Sequence, residues 1–109
     1  MTTGPNASEA NALTVHIDPG LEEIVPGFLE NRRRDVQTLE AALHQNDLKT
    51  IHVIGHRMKG DGGGYGFDAI SMLGAALEQA AARADRVAIQ RHTAELLDFL
   101  ARVTVVYRK

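Results

Sequence analysis

Apolar residues recur every three or four positions in four stretches of the chain, the pattern of helices that bury one face. The stretches span residues 26–45, a segment that begins at 48 and enters a run of glycines, a segment from 68, and about 86–106. Short polar turns separate them, which predicts an all-α fold, an up-down antiparallel four-helix bundle. We expect these residues in its core: Leu29, Val36, Leu39, Leu43, Ile51, Ile54, Met58, Tyr65, Ile70, Leu73, Leu77, Ala81, Ile89, Leu96, Leu100, Val103 and Tyr107.

The two ends of the chain are less regular. Residues 1–14 are small and polar, so we predict a disordered N-terminal tail followed by a bundle domain over residues 15–109. Asp18 followed by Pro19 is typical of a helix start and predicts a short additional N-terminal helix that reaches Val25. The β-branched residues 103–106 could form a strand, but we find no partner strand and assign them to the last helix.

Composition and charge narrow the class of protein. With 109 residues and no cysteine, the chain is one domain without disulfides or a thiolate metal site. A net charge of −2 and few aromatic residues argue against nucleic-acid binding. No apolar run is long enough to span a membrane, and the first residues do not resemble a signal peptide. We expect a cytoplasmic monomer that binds neither membranes nor nucleic acid.

The segment IHVIGHRMKGDGGGYGFD, residues 51–68, holds six glycines. Each glycine inside a helix costs about 0.5–1 kcal/mol relative to alanine. The apolar stripe nevertheless continues past Gly60 and Gly63 to Tyr65, so we predict that the helix runs through both. At 100° per residue, His56 lies opposite this stripe, with Gly60 about 40° to one side and Gly63 about 20° to the other. His56 is therefore predicted to point outward from a surface without neighbouring side chains, with Lys59 on the same face.

The pattern His56-x-x-Lys59-Gly60, followed by further glycines up to Gly66, resembles the signature of histidine-containing phosphotransfer (Hpt) domains. The resemblance extends over roughly residues 18–106. It implies a phosphorelay protein that accepts a phosphoryl group on a histidine from a receiver domain or histidine kinase and passes it to a response regulator. The sequence contains no GxxxxGK(S/T) nucleotide-binding motif, so we expect a phosphocarrier that has no cofactor of its own and does not phosphorylate itself from ATP. Whether such a carrier counts as an enzyme is left open.

The same resemblance implies roles for single residues. His56 would be the phospho-accepting histidine, Lys59 its electrostatic neighbour, and Gly60 the position that permits close approach of the receiver. Glu78 on the third helix matches the position whose side chain hydrogen-bonds the histidine Nδ1.

Other residues near His56 are candidates for contact with the receiver. We predict that His52, Arg57 and Gly63 contact the receiver together with Gly60. Asp61 departs from the family pattern, because it places a negative charge where a small neutral residue is common, and Arg57 is a candidate to compensate it. We interpret the run of arginines at 32–34 as a solvated helix face.

Two other interpretations remain open. His52 and His56 are four residues apart and could bind a metal ion with Glu78, although the glycines have no role in such a site. The chain could also be a helical interaction bundle that has lost phosphotransfer.

Overall fold

The computed structural model describes residues 12–108, and over this range the protein is mostly helical. Four helices are present, as predicted. Each packs against the next in sequence, and the first also packs against the last. In chain order the elements are β1 (Leu13–Ile17), a 3-10 turn (Pro19–Leu21), α1 (Val25–His44), α2 (Leu48–Gly64), α3 (Asp68–Ala82), α4 (Arg86–Arg102) and β2 (Val103–Tyr107).

The three connections between helices are built in the same way. Each contains a residue with positive φ, namely Asn46 at 59°, Gly66 at 87° and Ala84 at 55°. The amide that follows bonds back to a carbonyl five residues earlier, as Phe67 does to Gly62 at 2.7 Å. This is the Schellman ending of a helix, and it reverses the chain within three residues. The short connections place successive helices side by side, as the polar turns in the sequence predicted.

The helices enclose one apolar core. Most of the residues predicted to fill it are buried, whereas five are half-buried at its edge: Leu43, Tyr65, Leu73, Val103 and Tyr107. The largest side chains with almost no exposure are Phe67, Leu39, Ile51, Met58, Ile70, Leu77, Ile89, Leu96 and Val25.

The predicted N-terminal helix is wrong. A strand and a 3-10 turn of three residues occupy this region, and the Asp18 side chain accepts a hydrogen bond from the Gly20 amide at 2.7 Å within that turn. Asp18 thus caps a turn that is too short to become an α-helix. The strand begins at Leu13, inside the segment predicted to be a tail, whereas residues 1–11 lie outside the described residues. The proposed division of the chain at residue 14 stays a prediction.

The C-terminal end of the bundle also differs from the prediction, because α4 ends at Arg102 and the next five residues form a strand. This strand, β2, pairs in parallel with β1, with Leu13 opposite Val103 and Ile17 opposite Tyr107. A two-stranded sheet is marginally stable alone. Here one of its faces packs on the helices, and Ile17 is buried in the core. The fold is therefore a helical bundle with a small sheet rather than purely α.

Candidate functional site

The backbones of α2 and α3 touch through three glycines. A Cβ added to Gly55 would lie 2.7 Å from the backbone of Gly74 and of Glu78, and one added to Gly74 would lie 2.5 Å from the backbone nitrogen of Lys59. At Gly62, an added Cβ would lie 2.5 Å from a backbone nitrogen of α3. A side chain at any of these positions would push the helices apart, so glycine permits their close approach.

The other glycines of α2 face open space. A Cβ added to Gly60, Gly63 or Gly64 would meet no heavy atom within 4 Å among the described residues that lie outside its own stretch of helix. The predicted course of the helix through Gly60 and Gly63 is confirmed, since α2 ends at Gly64. The open surface predicted beside His56 is also present. The glycines of this segment therefore have two roles. Gly62 permits close packing against α3, whereas Gly60, Gly63 and Gly64 leave the outer surface of α2 without side chains.

His56 projects from this bare surface, with 66% of its side chain exposed. Its Nδ1 lies 2.8 Å from Oε2 of Glu78 on α3. Because a carboxylate can only accept a hydrogen bond, Nδ1 carries the proton in the neutral ring, and Nε2 then keeps its lone pair. Within residues 12–108, no hydrogen bond or ion pair involves Nε2. The arrangement is a fixed ring with a free nucleophilic nitrogen.

Glu78 connects His56 to Lys59. Its Oε1 accepts a bond from the Lys59 ammonium at 2.8 Å, while Oε2 accepts from His56, and the carboxylate side chain is only 16% exposed. The hydrogen bond from Lys59 and then that from His56 lower the pKa of Glu78 below its ordinary value. Glu78 is therefore held as a carboxylate between two donors. Sequence reasoning placed both Lys59 and Glu78 near His56 but did not predict that they contact each other.

His52 lies one turn before His56, on the same side of α2 as Glu78. Its Nε2 is 3.9 Å from Oε2 of Glu78, and its side chain is half-exposed. His52 therefore borders the group formed by His56, Lys59 and Glu78. Among the described residues, no group of three or more histidine, cysteine or acidic side chains is arranged to hold a metal ion. The structure thus gives no support to a metal site at His52, His56 and Glu78.

Asp61 pairs with a residue that the sequence did not identify. Its Oδ2 lies 3.8 Å from Nη1 of Arg32 on α1. Burial raises the pKa of Asp35, the charges of Arg32 and Arg57 oppose that rise, and the charge of Asp61 adds to it. Compensation of Asp61 by Arg57 stays a prediction. The interpretation of Arg32 as part of a solvated face is wrong, since its side chain is only 13% exposed. Its spacing of four residues from the buried Phe28 was the available signal.

A family model of the Hpt domain matches residues 23–104 of the chain. The match covers all four helices, and β1 lies outside it. The chain therefore belongs to the Hpt domain family, whose members carry out histidine phosphotransfer in phosphorelays and interact with receiver domains. No curated protein and no solved structure gave a significant match. In the part of the chain that the structure describes, no helix is both long enough and apolar enough to span a membrane.

Proposed function

We propose that this Hpt domain is a phosphocarrier in which His56 accepts a phosphoryl group from a receiver aspartyl phosphate or a histidine kinase and passes it to a response regulator. One observation carries the proposal: the exposed His56 ring is held by Glu78 at Nδ1, which leaves Nε2 free. Because a histidine nucleophile must present a lone pair to the phosphorus, a ring with its other nitrogen fixed as a donor is prepared for attack.

The transfer forms one bond and breaks another. The Nε2 lone pair attacks the phosphorus, the N–P bond forms, the bond between phosphorus and the aspartate oxygen breaks, and the aspartate leaves as a carboxylate. The ring then carries positive charge and keeps its proton on Nδ1. Glu78 stabilises this charge through its bond to Nδ1, and the reverse sequence returns the phosphoryl group to a receiver.

Lys59 supplies positive charge at the same end of the site. Its ammonium lies 2.8 Å from Glu78, one helical turn beyond His56, so it can offset charge on the oxygens of the phosphoryl group in transit. These residues act by position and charge alone. We therefore propose that the domain needs no cofactor of its own, that any magnesium belongs to the receiver, and that it does not phosphorylate itself from ATP.

The receiver would dock over the outer face of α2. Gly60 and Gly63 leave space beside the His56 ring, and a receiver active site must close on the ring for direct transfer. His52 and Arg57 are exposed at opposite borders of this face, and we propose that they contact the receiver. We also propose that the protein is a monomer and that it acts in the cytoplasm, where it would meet receiver domains and kinases.

The proposal is tested by phosphotransfer from a radiolabelled phosphorylated receiver domain. His56→Gln should abolish acid-labile labelling while helical content and thermal stability stay near wild type, because the ring is largely exposed. His44→Gln is the matched control, since it removes an exposed histidine at the end of α1 for which no receiver contact is proposed, and it should be labelled like wild type. Undiminished labelling of His56→Gln would contradict the proposal. Receiver binding without labelling of the wild type would instead indicate an interaction bundle.

A further inference from the structure

Arg32 is held at the contact between α1 and α2 by several interactions. Its Nε lies 2.9 Å from Oδ2 of Asp35 on the same helix, and its guanidinium lies 4.8 Å from the centre of the Phe28 ring. Phe28 in turn stacks on Tyr65, with ring centres 4.2 Å apart. Because the arginine is largely buried between these groups, its charge has a defined position rather than a mobile one.

Asp61 brings a negative charge to the border between α1 and α2, beyond the face that carries His56. It follows His56 by five residues, which corresponds to about 7.5 Å along the helix and about 140° around it, on the side of α1. Its carboxylate is half-exposed, and the neighbouring Gly60 has no side chain to cover it. With Cα atoms about 2.3 Å from the helix axis, these offsets place the two Cα atoms roughly 9 Å apart, slightly beyond the Debye length of about 8 Å at physiological ionic strength and well within that of about 30 Å at 0.01 M. An anionic group that approaches His56 therefore experiences the charge of Asp61 most strongly at low salt.

Arg32 is placed to offset that charge. Its Nη1 lies 3.8 Å from Oδ2 of Asp61, across the contact between the two helices. The charge of Arg57 also favours the ionised form of Asp35, so Arg32 is not the only cation that offsets the two carboxylates. Arg32 and Asp61 line an open groove, which places both within reach of a partner docked over α2; the other lining residues are Glu23, Ile24, Gly27, Phe28, Asn31 and Tyr65.

We propose that Arg32 is a positioning residue for phosphotransfer, which holds the Asp61 carboxylate towards α1 and offsets its charge so that an anionic partner site can approach His56. This inference rests on the proposed function, because the approaching anion is the phosphorylated acidic site of a receiver. Asp61 then sets which partners are accepted from that side: a receiver with negative charge at this border depends on Arg32, and one without it does not.

A double-mutant cycle with a phosphorylated receiver that labels the wild type tests the proposal. Arg32→Gln should slow transfer at low salt by about threefold to tenfold, the effect of one partly screened unit charge. Asp61→Asn should transfer at the wild-type rate or faster, and the double variant should match Asp61→Asn. Raising the salt concentration should bring Arg32→Gln towards wild type, a change that a purely structural defect would not show.

Arg33→Gln is the matched control, because it removes the same charge from the neighbouring position. The ion pair of Arg33 is with Glu30 of its own helix and not with Asp61. It should leave the rate unchanged. If loss of Arg32 unfolds the domain by leaving Asp35 unpaired, the pair Arg32→Gln with Asp35→Asn replaces it and should show the same rescue by Asp61→Asn.

Two results would overturn the proposal: an unchanged rate in the Arg32 variants, or a slow rate that neither Asp61→Asn nor salt restores. Failure of the proposed function is distinguishable, because wild-type labelling would then not depend on His56 at all.

Discussion

The two sides of α2 use the same residue for opposite purposes. On the side facing α3, Gly55 and Gly62 let the two backbones touch, and an added Cβ would lie within 3 Å of α3 backbone atoms. On the outer side, an added Cβ at Gly60 or Gly63 would meet nothing within 4 Å among the described residues beyond its own stretch of helix. Glycine is required by the fold on the first side, whereas the fold has no use for it on the second.

The candidate site depends on both sides. Close packing on the inner side brings Glu78 within 2.8 Å of both His56 and Lys59. The bare outer side leaves the Nε2 atom of His56 open to a partner. Substitutions on the inner side should therefore damage stability, and those on the outer side should damage transfer while the domain stays folded.

The largest expected effect on transfer comes from the outer side. Gly63→Leu should slow phosphotransfer by about a hundredfold or more, because a side chain beside His56 holds the receiver away from the ring. Circular dichroism should show unchanged helical content. Gln90→Leu is the control, because it also places a leucine on an exposed helix surface but on α4, and it should transfer at the wild-type rate. A wild-type rate in folded Gly63→Leu would show that close approach is not the reason for glycine here.

Gly74→Ala tests the inner side. Its Cβ would lie 2.5 Å from the Lys59 backbone nitrogen, so the free energy of unfolding should fall by about 1–3 kcal/mol, the usual cost of overpacking. Gly63→Ala is the matched control on the outer side and should instead raise it by about 0.5–1 kcal/mol, as alanine does in an open helix. Urea denaturation of both variants measures the difference. Equal changes in the free energy of unfolding for the two substitutions would contradict the different roles of glycine on the two sides of α2.

Glu78 connects the two sides, and its loss should reduce transfer without abolishing it. Glu78→Ala should slow phosphotransfer by about tenfold to a hundredfold, because it removes the acceptor that orients His56 but not the nucleophile. Glu78→Gln should be milder, since the amide oxygen can still accept the Nδ1 proton. Phosphotransfer rates of both variants, measured with the same receiver, test this expectation. If both match wild type, Glu78 has no part in the reaction.

The smallest expected effect is on the pH dependence of stability. Because Lys59 and His56 lower the pKa of Glu78, its charge stabilises the folded state fully above the ordinary glutamate pKa. That contribution is lost as pH falls through the lower pKa of the folded state. Wild type should therefore unfold at a higher temperature than Glu78→Gln at neutral pH, and the gap should close in acid. A gap that persists unchanged at strongly acid pH would contradict this linkage.

The helices could be predicted from the sequence because their apolar spacing is a local signal. The continuation of α2 through Gly60 and Gly63 followed from the stripe that ends at Tyr65. The small sheet could not be predicted in this way. Its strands lie at opposite ends of the described chain, and neither the short run at 13–17 nor that at 103–107 indicates which segment it pairs with. The pairing depends on the assembled bundle, on which Ile17 packs.

The candidate site could also be predicted only in part. The outward direction of His56 followed from helix geometry, and the contact with Glu78 followed from resemblance to a family. The bond between Lys59 and Glu78 and the pairing of Arg32 with Asp61 join different helices through long side chains. Spacing within one helix carries no information about such contacts: the four residues between Phe28 and Arg32 were a signal that Arg32 turns inward, but not that it meets Asp61.

The most direct test of the proposed reaction is the position of the phosphoryl group on the chain. After labelling by a phosphorylated receiver, phosphorus and nitrogen NMR of the wild-type protein should show a single phosphohistidine bonded through Nε2. Peptide mapping should assign it to His56 rather than to any of the other four of the five histidines. A phosphoryl group on Nδ1, or on another residue, would contradict the proposal that Glu78 holds the ring for attack by Nε2.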